Sequence, residues 1–330
     1  MADLYFADND KRFLKRFREE AGKVFEKGDK VAIKLHMGEK ENPNHLKPAF
    51  VKKVVDALIS LGAKPFLFDS PVKYSSPRNT EEGYLKQCVE LGFSESFLGC
   101  PVIISNSSIE VRGEHMKYGV CRHLAEADGV LVLTHFKGHV CTGVGGSLKN
   151  IGMGALSKDT KKAIHEGAEP VLSGECILCK KCSEVCPGDC ITYSDNGPCF
   201  DYEKCYGCSK CIQVCPQKCL KPRVAEFDTL LVEGADAALS MFKKVYFVNV
   251  IRNVTNKCDC QRSGIKKVMC DMGILMGSDI VAIDKASVDM INQKSGKKLF
   301  DQIWHKDSEL HIERAEGMGV GTRNYDIIKA

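Results

Sequence analysis

Two runs of cysteine carry the clearest chemical signal in this sequence. Cys176, Cys179, Cys182 and Cys186 form a C-x2-C-x2-C-x3-C run closed by Pro187, and Cys205, Cys208, Cys211 and Cys215 repeat it, closed by Pro216. Thiolates at i, i+3 and i+6 on a tight loop reach three irons of one cubane, and the distant fourth closes it from the far side. Zinc fits less well, because a ribbon takes two C-x-x-C pairs per metal and leaves the third cysteine of each run idle. A disulfide framework belongs to short secreted chains, and this chain has 330 residues. The spacing therefore predicts two [4Fe–4S] clusters. In two-cluster versions of the pattern the fourth cysteine of each run ligates the other cluster. One cluster is expected on Cys176, Cys179, Cys182 and Cys215, the other on Cys205, Cys208, Cys211 and Cys186.

The repeat predicts a bacterial-type, ferredoxin-like module over residues 168–222, as small as a metal-stapled unit can be. Its seven acids and six lysines nearly cancel. A freely diffusing carrier steers its partners with stronger charge, so the module reads as built into a larger protein. Residues 1–167 and 223–330 are expected to form that host as one discontinuous α/β domain.

The host alternates helical and strand patterns. Phe13, Leu14, Phe17, Ala21, Val24 and Phe25 share one face of a helix expected over 10–25. A second helix is expected from Pro48 to Leu61, stopped by Gly62; others are expected near 80–91, 224–239, 280–292 and 298–305. Short apolar runs at 31–36, 64–69, 101–105, 129–134 and 244–251 read as strands. This alternation predicts a mainly parallel sheet with helices on both faces, interrupted by the cysteine module.

Ligands of such sheets sit beyond the carboxyl ends of the strands. Those ends carry His36 with Glu39, then Asp69, then the stretch from His135 through Lys137 and His139 to Lys149, then Cys258 with Cys260. If the strands run parallel, all four groups meet at one edge, where histidine and carboxylate suit proton transfer near neutral pH. Lys137 and Lys149 suit an anionic substrate, and the backbone of Gly143, Gly145 and Gly146 could approach it closely. A tight turn is the plain reading of those glycines, and a loop cap that of any single strand-end His or Asp. His135 and His139 are four apart, but Gly138 and the loop deny them the helical geometry of a zinc pair. Cys258 and Cys260 face one way in extended chain. With Cys270 as third ligand they would suit a further metal or cluster with an open position; ordinary reduced thiols are the alternative.

Net charge is +4, with no basic stripe interleaved with aromatics, which argues against nucleic acid. No apolar run approaches the roughly 20 residues a membrane span needs. The polar start shows no targeting pattern, and many cysteines without an export signal predict a cytoplasmic protein.

In combination several motifs resemble a known family. They are the strand ending His36-Met-Gly-Glu39, the run His135-Phe-Lys-Gly-His139 continuing to Gly154, the two cysteine runs, and Cys258-Asp-Cys260 followed by Asp271-Met-Gly and Val281-Ala-Ile-Asp284. The chain resembles the iron–sulfur family catalogued as domain of unknown function 362. The resemblance implies an iron–sulfur protein of the kind found in anaerobic bacteria and archaea, with a ferredoxin-like insert. It implies no substrate.

The expected function is an oxidoreductase that takes electrons from a soluble ferredoxin or flavodoxin-like partner, through two clusters, to an anionic small molecule at the strand ends. An electron-transfer or assembly partner without its own catalysis is the alternative. Clusters serving only as structural staples are a third.

Overall fold

A strand made almost wholly of apolar residues needs both of its faces covered. The run at 129–135 meets that condition, and a computed structural model, which describes residues 1–330, places it inside an eight-stranded sheet. The strands are β1 (Ala2–Ala7), β2 (Lys30–Lys34), β3 (Lys64–Asp69), β4 (Val102–Ile104), β5 (Gly129–His135), β6 (Val245–Ile251), β7 (Gly273–Gly277) and β8 (Tyr325–Lys329). Their spatial order is β8-β1-β7-β6-β5-β2-β3-β4. Only β7 is reversed, pairing antiparallel with both β1 and β6; every other neighbouring pair is parallel.

Alternation along the strands divides the core. Leu131 and Leu133, with Ile33, Leu67 and Val248, face the helices at Asp10–Val24 and Pro48–Ser60. Val130 and Val132, with Ala32, Phe68 and Phe247, face the helices at Phe227–Leu239 and Ile280–Ser295. Each set is fully apolar because the pleat sends successive side chains to opposite layers. The first helix starts where the Asn9 side chain accepts the Arg12 N–H, and the last long one where Asp279 accepts from Val281 and Ala282. Gly296, at φ +67°, ends that helix in the left-handed conformation glycine permits.

Strands β1, β7 and β8 lie outside the sequence expectations. β8 is the exposed edge, and β1 is short and leads directly into a helix, so neither carries a long apolar run. Residues 168–222 hold two short helices, at Lys181–Glu184 and Lys210–Gln213, and a hairpin of Ile191–Ser194 with Gly197–Phe200. Where the chain enters and leaves this region, Pro170–Leu172 pairs antiparallel with Leu220–Pro222. No helix is long and apolar enough to cross a membrane.

Candidate functional site

Parallel pairing brings the carboxyl ends of β2, β3, β5 and β6 to one edge, where a cavity of about 450 Å³ opens. That volume suits a small molecule. Eight of the strand-end residues picked from sequence line it: His36, Asp69, His135, Lys137, His139, Lys149, Cys258 and Cys260. Glu39 does not. It is fully buried behind the wall, where it accepts from Arg78 Nη1 at 3.0 Å and the Tyr74 hydroxyl at 3.0 Å. Its role is to hold Arg78, whose guanidinium also lies 3.6 Å from Asp69.

Most charges at this edge are paired. Lys34 Nζ lies 3.0 Å from Asp69 Oδ1 and donates to Asn150 Oδ1 at 2.8 Å. Burial would raise the Asp69 carboxyl, but Lys34, Lys161 and Arg78 outweigh it and hold the group well below the usual carboxylate range. Lys137 pairs with Asp259, and burial brings its ammonium down to about 8 even with that partner. His135 Nε2 lies 2.7 Å from the Arg252 carbonyl and must donate to it. Burial and Lys137 push this imidazole below its ordinary value, so its Nδ1 is left to accept from Lys137. Lys149 differs from these neighbours. No side chain or carbonyl accepts from it, it looks into the cavity, and burial followed by the charge of Lys34 brings it down to about 8. An unpaired, partly desolvated ammonium in a basic cleft suits an anion.

The glycine loop is mainly structural. Lys137–His139 and Gly143–Gly145 form a hairpin, and Gly143, at φ +77°, packs where a Cβ would meet the Ser308 backbone at 2.8 Å. Gly143 is therefore no ligand cradle, although Gly145 and Gly146 do line the cavity. The N–H groups of Ser147 and Leu148 at the following helix are taken by the Asp284 carboxylate, at 2.7 and 2.9 Å.

The expected set of Cys258, Cys260 and Cys270 needs correction. Cys258 and Cys260 are joined as a disulfide, and Cys270 is exposed and outside the group. Their neighbour is His139: its donor atom and the two sulfurs all lie within 4.8 Å of one another. Lys34, Arg78, Asp259 and Asn150 were missed as site residues. A lysine inside the apolar run at 31–35 was a signal for the first, and an acid between two cysteines for the third. Nothing local marks Arg78.

The two cysteine runs adopt matching backbones. Leu178 and Gly207, Lys180 and Ser209, and Asp189 and Lys218 take the same left-handed conformation at equivalent places. Each run is followed by a fifth cysteine: Cys190 Sγ is 3.4 Å from Cys186 Sγ, and Cys219 Sγ is 3.5 Å from Cys215 Sγ. Cys190 is also within reach of Cys205, and Cys219 of Cys176. Burial raises the Cys211 thiol, and the charges of Cys208, Cys205 and Cys186 raise it further. The fourth cysteine of each run thus lies among the first cysteines of the other. This donor set fits two cubanes with crossed fourth ligands. Cys205 and Tyr206 also form part of the cavity wall.

No curated protein matches the chain. Among solved structures, a protein from Thermotoga maritima aligns with a TM-score of 0.47 at 9% identity, over 94% of this chain and 60% of its own. The lactate racemase apoprotein from Thermoanaerobacterium thermosaccharolyticum aligns with a TM-score of 0.38 at 12% identity, over 76% of this chain and 51% of its own. This chain thus spans just over half the length of either. The family model of the domain of unknown function DUF362 matches residues 31–289, and the chain belongs to that family.

Proposed function

We propose that this chain is an iron–sulfur oxidoreductase acting on a small anionic molecule held at the strand ends. One observation carries the reading: a single cavity is walled both by the basic strand-end groups and by Cys205 and Tyr206 of the cysteine region. The crossed thiol groups support a two-cluster, ferredoxin-like module with Cys215 completing the set of Cys176, Cys179 and Cys182, and Cys186 that of Cys205, Cys208 and Cys211. Bound there, two [4Fe–4S] clusters would supply single-electron transfer between a soluble partner and the cavity. Cys179, Ile177 and Leu178 are exposed beside the first cysteine run, a surface suited to a ferredoxin or flavodoxin-like donor. An anaerobic cytoplasmic setting goes with this chemistry.

The chain's own groups have separable roles. Lys149 binds the anion. Lys137, near 8 and hydrogen-bonded to His135 and Asp259, can give up or take back a proton near neutral pH. His36 accepts the Gly38 N–H on Nδ1, and its buried Nε2 has no partner. Asp69 and Glu39 keep Lys34 and Arg78 in place.

The test is a redox titration of anaerobically purified protein, with iron and acid-labile sulfide counted, in the presence and absence of inorganic phosphate and of short-chain carboxylates. Two cubanes are expected. An anion in the cavity should lower the potential of the centre at Cys205 more than that of the centre at Cys176, and Lys149→Met should abolish the response. Protein without iron and sulfide, or potentials indifferent to every anion, would overturn the proposal.

A further inference from the structure

Cys258, Cys260 and His139 come from two separate elements, the loop after β6 and the Lys137–His139 strand, yet their donor atoms cluster within 4.8 Å. All three line the cavity. The surroundings fix them there. Trp304 Nε1 donates to the Asn256 carbonyl at 2.8 Å, Thr255 Oγ1 to that of Lys257 at 2.7 Å, and Asn42 Nδ2 to that of Gln261 at 3.2 Å. Asp259, between the cysteines, is anchored by Lys137.

His139 makes its hydrogen bonds through Nδ1 alone, to Thr142 Oγ1 at 2.9 Å and with the Cys141 N–H at 3.2 Å. The Thr142 hydroxyl spends its own proton on the Val144 carbonyl, at 2.6 Å. The Cys141 N–H is a fixed donor to Nδ1, so the ring hydrogen sits on Nε2 in the disulfide form; when a metal takes Nε2 that hydrogen moves to Nδ1, where the Thr142 oxygen can accept it. An imidazole nitrogen with no hydrogen-bond partner, on a ring whose donor atom lies within 4.8 Å of two sulfurs, suits a metal ligand whose other nitrogen is held by a second shell.

We infer that reduction of the Cys258–Cys260 disulfide creates, with His139, a site for one divalent metal of zinc's class, its fourth position open to the cavity. The balance is simple: a dithiol reductant gives the disulfide two electrons, closing its own disulfide and releasing two protons to solvent, the Cys258–Cys260 S–S bond breaks, and both thiolates bind one M2+. No proton is consumed, and two thiolates, a neutral imidazole and M2+ sum to zero charge, which suits a buried place. Two thiolates, one imidazole and an open position form a donor set that holds catalytic zinc elsewhere. The site deepens the reading above by adding a Lewis acid to the cavity that Lys149 also lines, where an anion could meet both. The third ligand is His139 in place of Cys270.

Cobalt(II) reports on such a site through its thiolate charge-transfer and d–d absorption. Anaerobic protein with its iron and sulfide counted, reduced by dithiothreitol, is titrated with Co2+ and then with Zn2+. The expected result is one Co2+ per chain beyond the iron, with thiolate bands that Zn2+ displaces. The Cys258→Ser, Cys260→Ser double variant should lose the bands. His139→Gln should weaken binding at least tenfold and shift the d–d bands, whereas Cys270→Ser should change nothing. Absence of thiolate bands in reduced wild type, their persistence in the double variant, or their loss in Cys270→Ser would overturn the inference. A disulfide that reduces and reoxidises with no metal bound would overturn it too. Protein lacking cubanes but keeping a cobalt band that only Cys258, Cys260 and His139 control would sink the electron-relay reading and uphold the metal site.

Discussion

Replacing Lys149 with methionine should make the empty protein more stable and the anion complex weaker, a pair of opposite signs that few substitutions produce. Methionine matches the length of the lysine stem and removes only the ammonium. That ammonium is lowered from 10.5 to about 8, burial being the main cause and Lys34 the next. At roughly 1.4 kcal/mol per unit, trimmed for its partial exposure, folding a charged Lys149 costs about 2–3 kcal/mol. A lysine whose folded value is depressed destabilises the fold fully below about 8, and the penalty fades as pH rises toward 10.5. The stabilisation by Lys149→Met should therefore be complete at pH 7 and gone by about pH 10.5, as chemical denaturation across pH would read. Anion binding should respond the other way. Losing a desolvated charge that meets an anion costs about 2–4 kcal/mol, roughly 30- to 1000-fold in Kd. Phosphate calorimetry should show wild-type affinity falling as pH passes about 8, and the variant lacking that limb. Lys137 and Lys161 remain in the variant, so the difference isolates Lys149. A variant that is less stable at neutral pH and binds phosphate as before would refute the reasoning.

Three further outcomes follow from the contacts described. Cys186→Ala should remove the spectroscopic signals of the centre at Cys205, Cys208 and Cys211 and spare the centre that begins at Cys176; loss at Cys176 alone would reverse the crossing. Arg78→Met should cost about 3–5 kcal/mol in chemical denaturation, because it leaves the fully buried Glu39 with only the half-exposed Arg262, 3.7 Å away; a near-neutral effect would mean Glu39 is not relying on Arg78. Gly146→Ala should cost about 1–3 kcal/mol, since the new Cβ would lie 2.4 Å from the Asp284 carboxylate. Combined with Asp284→Ala the two costs should fall short of their sum, as coupled sites do; strict additivity would place the clash elsewhere.

What could be read from sequence follows from which forces are local. Strands β2, β3, β5 and β6 announce themselves because each is buried on both faces and so is apolar throughout, and their shared direction brought His36, Asp69, His135 and Lys149 to one cavity as expected. Strand β7 is buried as well, yet its Gly273-Ile-Leu-Met-Gly277 run is short and bounded by glycines, so only pairing reveals it. The ion-pair web behind the cavity was not legible. Arg78 lies far in sequence from Glu39, and nothing in its own neighbourhood distinguishes it from a solvated arginine. The i, i+2 rule placed Cys258 and Cys260 on one side, as observed, but it could not choose a third partner. That choice depends on the hairpin that carries His139, a contact made in three dimensions.

The antiparallel neck of Pro170–Leu172 with Leu220–Pro222 brings the two ends of the intervening segment side by side. A genetic excision there, closed by a short turn, would leave every strand of the large sheet in place and remove only Cys208 from its apolar layers. It would also take away Glu203, Cys205 and Tyr206, and with them one side of the cavity. The trimmed chain should fold and yet present a shallow, water-filled trough where the enclosed chamber had been. Cutting the segment out as an independent unit is thus simple for the chain and ruinous for the chamber. Swapping in a segment from a relative would test whether the two parts have been shaped to each other, and the residues to carry across with it are those that face Lys73, His165 and Lys306.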